Sequence, residues 1–329
     1  MDVHNKSSGS ETKLGKYLWA NLRINTWRAG DAGMADFIYC SQLLQAEALT
    51  YACRSWRRGW KGTGREECAG ILIWQLNDIY PVTSWSLVDS AFRRKPAFFT
   101  TKRDFAEVCV GVARKPVWLF VPEDKRREHR TNIPTFEVYA SNLGRKRRRV
   151  QVKCRMYDWS RHKEVEVLKA EEEQIYELKD NQTTELCTVA CPEDEESGVS
   201  EDSLIVCLVS LQDADSGVEF SRHVSWPEPY RYLSSSEQTH VTAEIATDKT
   251  TQNTTDGIDV ITLVCGSTPA KGVLAYIDPD DGEEAEWWSD NLVDLMPGER
   301  YDLRVKGLEG RKVKVRWLYS WETTAGSAS

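Results

Sequence analysis

The sequence predicts a multidomain chain in which one helix–strand step of an α/β fold precedes two all-β blocks of sandwich type. Three observations predict it. A long amphipathic segment runs into a continuous apolar octet, AGILIWQL, at residues 69–76. The pattern then changes near residue 108 to short segments separated by turn residues, at the roughly 8–12 residue spacing of a β-sandwich. A second block of the same kind follows the polar stretch SSSEQTHVTAEIATDKTTQNTTDG. At roughly 100–200 residues per domain, 329 residues suit two or three domains. The pattern changes place boundaries near residues 106 and 236, giving units 1–106, 107–236 and 237–329.

Taken in order, KLGKYLWANLRI at residues 13–24 reads as a short helix. Residues 35–60 read as a long one. Phe37, Leu44, Ala48, Tyr51 and Ala52 recur at helical spacing, and Asp36 can cap. KGTGREEC is a Gly-containing turn. The octet 69–76 has the look of a strand buried on both faces, as in a parallel sheet, and helix then buried strand is the αβ step of an α/β fold. NDIYPVTSWSLVD is an irregular loop after it, and KPAFFTTKRDFAEV a helix with Pro96 in its first turn. The first β block holds VCVGVAR, VWLFVP, TFEVYASN, RRVQVKCRMYDWS, KEVEVLKAE, SLIVCLVSLQ and VEFSRHVSW. The second holds IDVITLVCG, GVLAYIDP, ERYDLRVKG and RKVKVRWLY. CPEDEESGVSED, within the first block, is an acidic, mobile loop.

Composition excludes several classes. Apolar residues are 40% and charged residues 29%, so cores can form. No apolar run approaches the ~20 residues of a membrane helix. The start, MDVHNKSSGSETK, has no apolar stretch, so no secretory signal is expected. A net charge of −8 argues against general nucleic-acid binding. The basic runs KRREHR and RKRRR lack interleaved aromatics and read as solvated turns. The nine cysteines are irregularly spaced and suggest reduced, mostly buried thiols in a cytoplasmic protein, not a zinc site. YIDPDDGEEAE lacks the spacing of a calcium loop and reads as an acidic hairpin. Sequons at Asn5, Asn181 and Asn253 matter only in a secretory compartment. No metal and no cofactor is expected.

The informative motif is WQLNDIYPVTSWSLVD at residues 74–89. With HNK at 4–6, SQLLQAEAL at 41–49, WRR at 56–58, RRKPAF at 93–98 and SDNLVDLMPGE at 289–299, it resembles the β-mannosidases of glycoside hydrolase family 2, most closely the intracellular fungal type. The resemblance implies a sugar-binding sandwich, a linker domain, a (β/α)8 barrel and two C-terminal sandwiches. On that reading this chain begins inside the barrel. It keeps the last αβ step, with residues 69–76 as strand 8, and both C-terminal immunoglobulin-like sandwiches.

The activity implied is hydrolysis of terminal non-reducing β-D-mannose with retention. Retaining enzymes use two carboxyls about 5–5.5 Å apart. In the family both are glutamates on earlier strands, the nucleophile in a Ser-Glu-Phe-Gly-like motif upstream of HNK. No such motif occurs here, so no catalytic residue carries over and the chain alone is expected to be inactive. Glu47 lies within the helix, and Glu66 and Glu67 precede strand 8, at the face away from barrel catalysis. What carries over is substrate contact. Trp74 offers an indole face to a pyranose. Asn77 and Asp78 follow in the layer that bonds hydroxyls, and Trp85 walls the pocket. The alternative is that both tryptophans pack a core and Asn77 and Asp78 form a turn. Tyr80 stands where the family usually has Trp, which leaves position 80 without an assigned role. The expected partner is thus a β-mannoside oligosaccharide. A β-glucosaminide is the nearest competing sugar, and a non-catalytic β-sandwich binding module is the competing function.

Overall fold

The computed structural model describes residues 4–24, 30–115, 133–166, 174–192, 199, 203–233, 239–245, 257–278 and 281–321. The chain divides into two compact units. One comprises Met1–Ala48, Ile73–Thr100 and Ser234–Ser329, the other Leu49–Leu72 and Thr101–Leu233.

The second of these units is built on two antiparallel sheets. One has the order β1–β2–β6, from Val108–Lys115, Thr135–Asn142 and Gln182–Ala190. The other runs β4–β3–β7–β8, from Lys163–Val165, Arg148–Asp158, Ile205–Asp213 and Glu219–Ser225, with β5 (Ile175–Leu178) also on β3. Alternation aims β3 inward: Val150, Val152, Cys154 and Met156 are buried every second residue. β7 is buried over Ile205–Leu211 and apolar there except at Ser210, as suits a central strand. β1 and β2 pair in unbroken register from Val108↔Asn142 to Lys115↔Thr135. Gly111 sits opposite Tyr139, and a Cβ there would fall 2.2 Å from the ring, so only glycine lets the ring lie flat on the strand.

The first unit also carries antiparallel sheets. One has the order β12–β14–β10–β9, from Trp287–Trp288, Arg300–Lys306, Ile258–Cys265 and Val241–Ile245. The other is β13–β11–β15, from Val293–Leu295, Ala270–Ile277 and Val313–Arg316. Ile261, Leu263, Val273, Leu295, Leu303 and Val305 fill the core, with Phe99 packed on it.

Among the described residues, three helices precede the strands: α1 (Ser10–Asn21), α2 (Gly30–Arg58) and α3 (Pro96–Asp104). Arg57 and Arg58 in the last turn of α2 complement its dipole. α2 starts before Asp36, which is therefore no cap. It is fully buried, with Arg316 Nη1 3.5 Å away.

The largest departure from the sequence reading is at residues 69–76. They form no strand and are not buried: Leu72 is 99% exposed, Trp74 77% and Leu76 61%. An apolar octet becomes a strand only where other strands supply its hydrogen bonds, and none of the described strands lies beside it. The acidic segment after β11 is not a hairpin either, because β11 pairs with β13 and β15 whereas β12 pairs with β14. The strands β5, β6, β9, β12 and β13 were not expected from sequence, and β9 lies within the stretch read as polar. VWLFVP, KRREHR and most of CPEDEESGVSED lie outside the described residues, as does the end of KEVEVLKAE. RKRRR is a turn and strand start whose arginines meet acids: Arg147 with Glu177, Arg148 with Glu107 and Arg149 with Asp215, at 2.7–2.9 Å.

Candidate functional site

Residues 73–95 lack helix or sheet, yet their backbone is extensively bonded. Leu87 N donates to Gln75 O (3.2 Å) and Val88 N to Leu76 O (2.8 Å). Asp78 N donates to Val88 O (3.1 Å), so residues 75–78 lie beside 87–88 in a short parallel bridge. Lys95 N donates to Leu87 O at 2.9 Å. Asp89 closes the following turn, its carboxylate accepting from Ala91 N, Arg93 N and Arg93 Nε.

Asp78 lies at the centre. Its side chain is 1% exposed. Oδ1 accepts from Lys6 Nζ at 2.7 Å; Oδ2 accepts from Ser84 Oγ at 2.6 Å and Ser86 Oγ at 2.5 Å, with Lys95 Nζ 3.5 Å away. Burial opposes the charge on Asp78. The hydrogen bonds from Lys6, Ser84 and Ser86 and the charge of Lys95 outweigh it and draw the carboxyl down to about 2. For Lys95 burial dominates and lowers the ammonium from its ordinary value, although Asp78 pulls the other way.

Three motif blocks that are far apart in sequence, HNK, SQLLQAEAL and RRKPAF, meet at this loop. In the HNK block, His4 Nδ1 lies 2.6 Å from Pro81 O, Asn5 bridges to Thr83, and Lys6 reaches Asp78. Gln45, from SQLLQAEAL, donates through Nε2 to Trp85 O at 2.8 Å and Ser86 O at 3.2 Å. Lys95, from RRKPAF, donates to Ser86 Oγ at 2.8 Å. The SDNLVDLMPGE block meets SQLLQAEAL away from the loop, where Asp294 and Glu47 flank buried Lys271 at 3.5 and 3.0 Å. Lys6, Gln45, Ser84, Ser86 and Lys95 were not singled out from sequence as site residues. Their signal was membership of those blocks.

The expected contact residues stand differently. Trp74 presents most of its indole to solvent, and the Trp74–Gln75 peptide is cis. Asn77 is exposed, and Trp85 is 39% exposed with Lys6 Nζ 6.0 Å from its ring centroid. Asp78 is wholly enclosed. The glutamates have other partners: Glu47 the ammonium of Lys271, Glu66 the amide of Gly64, and Glu67 the ammonium of Lys61. A separate cavity of about 330 Å3 in the other unit is lined by Trp56, Trp60, Phe105 and Leu143, and contains none of the expected contact residues. Among the described residues no cluster of His, Cys, Asp and Glu is placed to hold a metal ion. The cysteines form no disulfides, and all but Cys68 and Cys187 are buried. No described helix is long and apolar enough to cross a membrane.

Residues 135–232 match the family profile of the mannosidase Ig/CBM-like domain. The chain is 35% identical over 320 residues to a β-mannosidase B of Thermothelomyces thermophilus, covering 97% of this chain and 34% of that protein. It is 27% identical to a β-mannosidase B of Aspergillus terreus, with the same coverage. It thus spans about a third of the length of the curated relatives it matches. Among solved structures, a β-D-mannosidase from Dictyoglomus thermophilum superposes with a TM-score of 0.69 at 21% identity, over 96% of this chain and 33% of that one. An exo-chitosanase from Amycolatopsis orientalis superposes with a TM-score of 0.58 at 20% identity, over 88% and 34%. These two likenesses establish the shared fold. The sandwich match, the alignment along nearly the whole chain and the shared fold lead to one conclusion: the chain is a relative of the C-terminal part of β-mannosidases, with a mannosidase Ig/CBM-like domain at residues 135–232.

Proposed function

We propose that this chain works as the C-terminal segment of a retaining exo-β-mannosidase that removes terminal non-reducing β-D-mannose in the cytoplasm. The segment supplies one wall of the sugar pocket and two packing sandwiches, while the catalytic glutamate pair lies in the remainder of the protein. The observation that carries this reading is the exposed octet with Trp74 near its end, set on a loop held by its own polar network. An exposed indole costs free energy in water, and its flat apolar face suits the C–H side of a pyranose. Asn77, exposed beside it, is in reach of hydroxyls, and Trp85 closes the edge. Domain boundaries near residues 106 and 236 belong to the same proposal.

The test uses the longer protein with an aryl β-mannoside. Trp74→Ala is expected to lower kcat/KM by roughly ten- to a hundredfold, the scale of one lost aromatic contact. The isolated 329-residue chain is expected to show no turnover. Turnover that follows the isolated chain through gel filtration sinks the proposal, as does an unchanged Trp74→Ala enzyme. Faster cleavage of the matching β-glucosaminide reassigns the sugar. Mannan binding by the isolated chain without any Trp74 dependence favours a binding module.

A further inference from the structure

We infer that Asp78 is a positioning residue: a buried carboxylate that clasps the loop bearing Trp74 and Asn77, setting their place without itself touching sugar. The inference rests on the reading of Trp74 as a sugar contact, and deepens it.

A carboxylate offers about four acceptor directions. Three accept hydrogen bonds, from Lys6 Nζ on Oδ1 and from Ser84 Oγ and Ser86 Oγ on Oδ2, and Lys95 Nζ stands 3.5 Å from Oδ2 as an ion-pair partner. With the side chain 1% exposed, the carboxylate is closed off from a ligand hydroxyl by burial. The donors come from three stretches of chain: the segment before α1, the loop itself, and the residue before α3. Two ammonium groups are held in a largely buried place by one carboxylate and two hydroxyls. Neutralising the carboxylate leaves both cations without their counter-charge.

The clasp reaches the exposed indole through the backbone. Asp78 N bonds Val88 O, and Val88 N bonds Leu76 O. Leu87 N, adjoining Ser86, bonds Gln75 O, one residue from Trp74. Gln45 pins the carbonyls of Trp85 and Ser86 from α2. If Ser84 and Ser86 are released from Asp78, the partner of residues 75–77 moves, and the base of Trp74 moves with it. A displacement of about 1 Å in a binding group is enough to cost a large factor in rate.

The experiment is a double-mutant cycle in the longer protein, with 4-nitrophenyl β-D-mannopyranoside as the probe. The variants are Asp78→Asn, Trp74→Ala and both together. We expect Asp78→Asn to lower kcat/KM about tenfold, and the double variant to lose little more than Trp74→Ala alone, because Asp78 acts through Trp74. Additive losses overturn the inference in favour of direct contact. An Asp78→Asn enzyme that is less stable but keeps its kcat/KM overturns it in favour of a purely structural role. An unchanged Trp74→Ala enzyme overturns the sugar-contact reading and this inference together. Should Asp78→Asn fail to fold, Ser86→Ala removes one arm of the clasp. It is expected to show the same non-additivity with Trp74→Ala on a smaller scale, and additivity there overturns the inference equally.

Discussion

β1 and residues 69–76 are two apolar eight-residue stretches with opposite fates. In β1, Val108, Cys109, Val110 and Val112 are buried, and every residue faces a partner in β2. In 69–76, Leu72 and Trp74 are largely open to water. Hydrophobicity is not the difference, since AGILIWQL is at least as apolar as VCVGVARK. The difference is a partner. A strand's backbone groups cost free energy until another strand satisfies them, and its side chains stay wet until another layer covers them. An apolar run therefore states a demand for burial, and the rest of the protein decides whether it is met.

The sharpest test exchanges one residue in each stretch. Val110→Asp puts an unpaired carboxylate into a fully buried position and is expected to cost roughly 4 kcal/mol or more in urea denaturation. Leu72→Asp, at a 99% exposed position, is expected to change stability by less than about 0.5 kcal/mol. It should also reduce concentration-dependent self-association in analytical ultracentrifugation, because a bare apolar edge is an aggregation site. Equal losses at the two positions would break the comparison.

A smaller effect belongs to the loop that follows the octet, where polar bonds do the holding. The Asp78 carboxyl is depressed from 3.8 to about 2, so the folded state favours its charged form. That stability is fully present above the unfolded value and is lost as pH falls through the folded one. The shift corresponds to about 2 kcal/mol, lost between about pH 4 and pH 2. Acid titration of the folded chain against Asp78→Asn should show the wild-type loss in that window and a flatter profile in the variant. The same slope in both would remove Asp78 from the account. The smallest effect lies on the surface of the other unit: Arg149→Ala removes an exposed pair with Asp215 and should cost under about 0.5 kcal/mol.

Legibility followed the same division. β1, β2, β3, β7, β8, β10, β11, β14 and β15 were legible because each is a clear apolar or alternating run between turn residues. β6, QTTELCTVA, was not: its burial is mixed and its inward residues include threonine. β12 and β13, at two and three residues, are too short to carry a period. Asp36 looked like a cap because it precedes a periodic stretch. The helix continues six residues further back, and the carboxylate is spent on Arg316. At the candidate site, residues 74–89 stood out as a motif, and Asp78 within it was read as a hydroxyl contact, whereas the structure encloses it. Its enclosure by Lys6, Ser84, Ser86 and Lys95 was not legible, because those side chains lie up to 72 positions away.

By itself the sequence determined where chain direction and local periodicity change. It set the helices, most strands, the inward faces of the two β blocks, and the blocks that relate the chain to the β-mannosidases. Those properties reside in neighbouring residues and in spacings of two or three to four, which a linear reading samples directly. Only the tertiary structure decided that the octet lies bare, that Asp36 is an ion-pair partner, and that Asp78 is a clasp. Each depends on which distant groups come within about 3 Å of one another, and a hydrogen bond or an ion pair has no period along the chain.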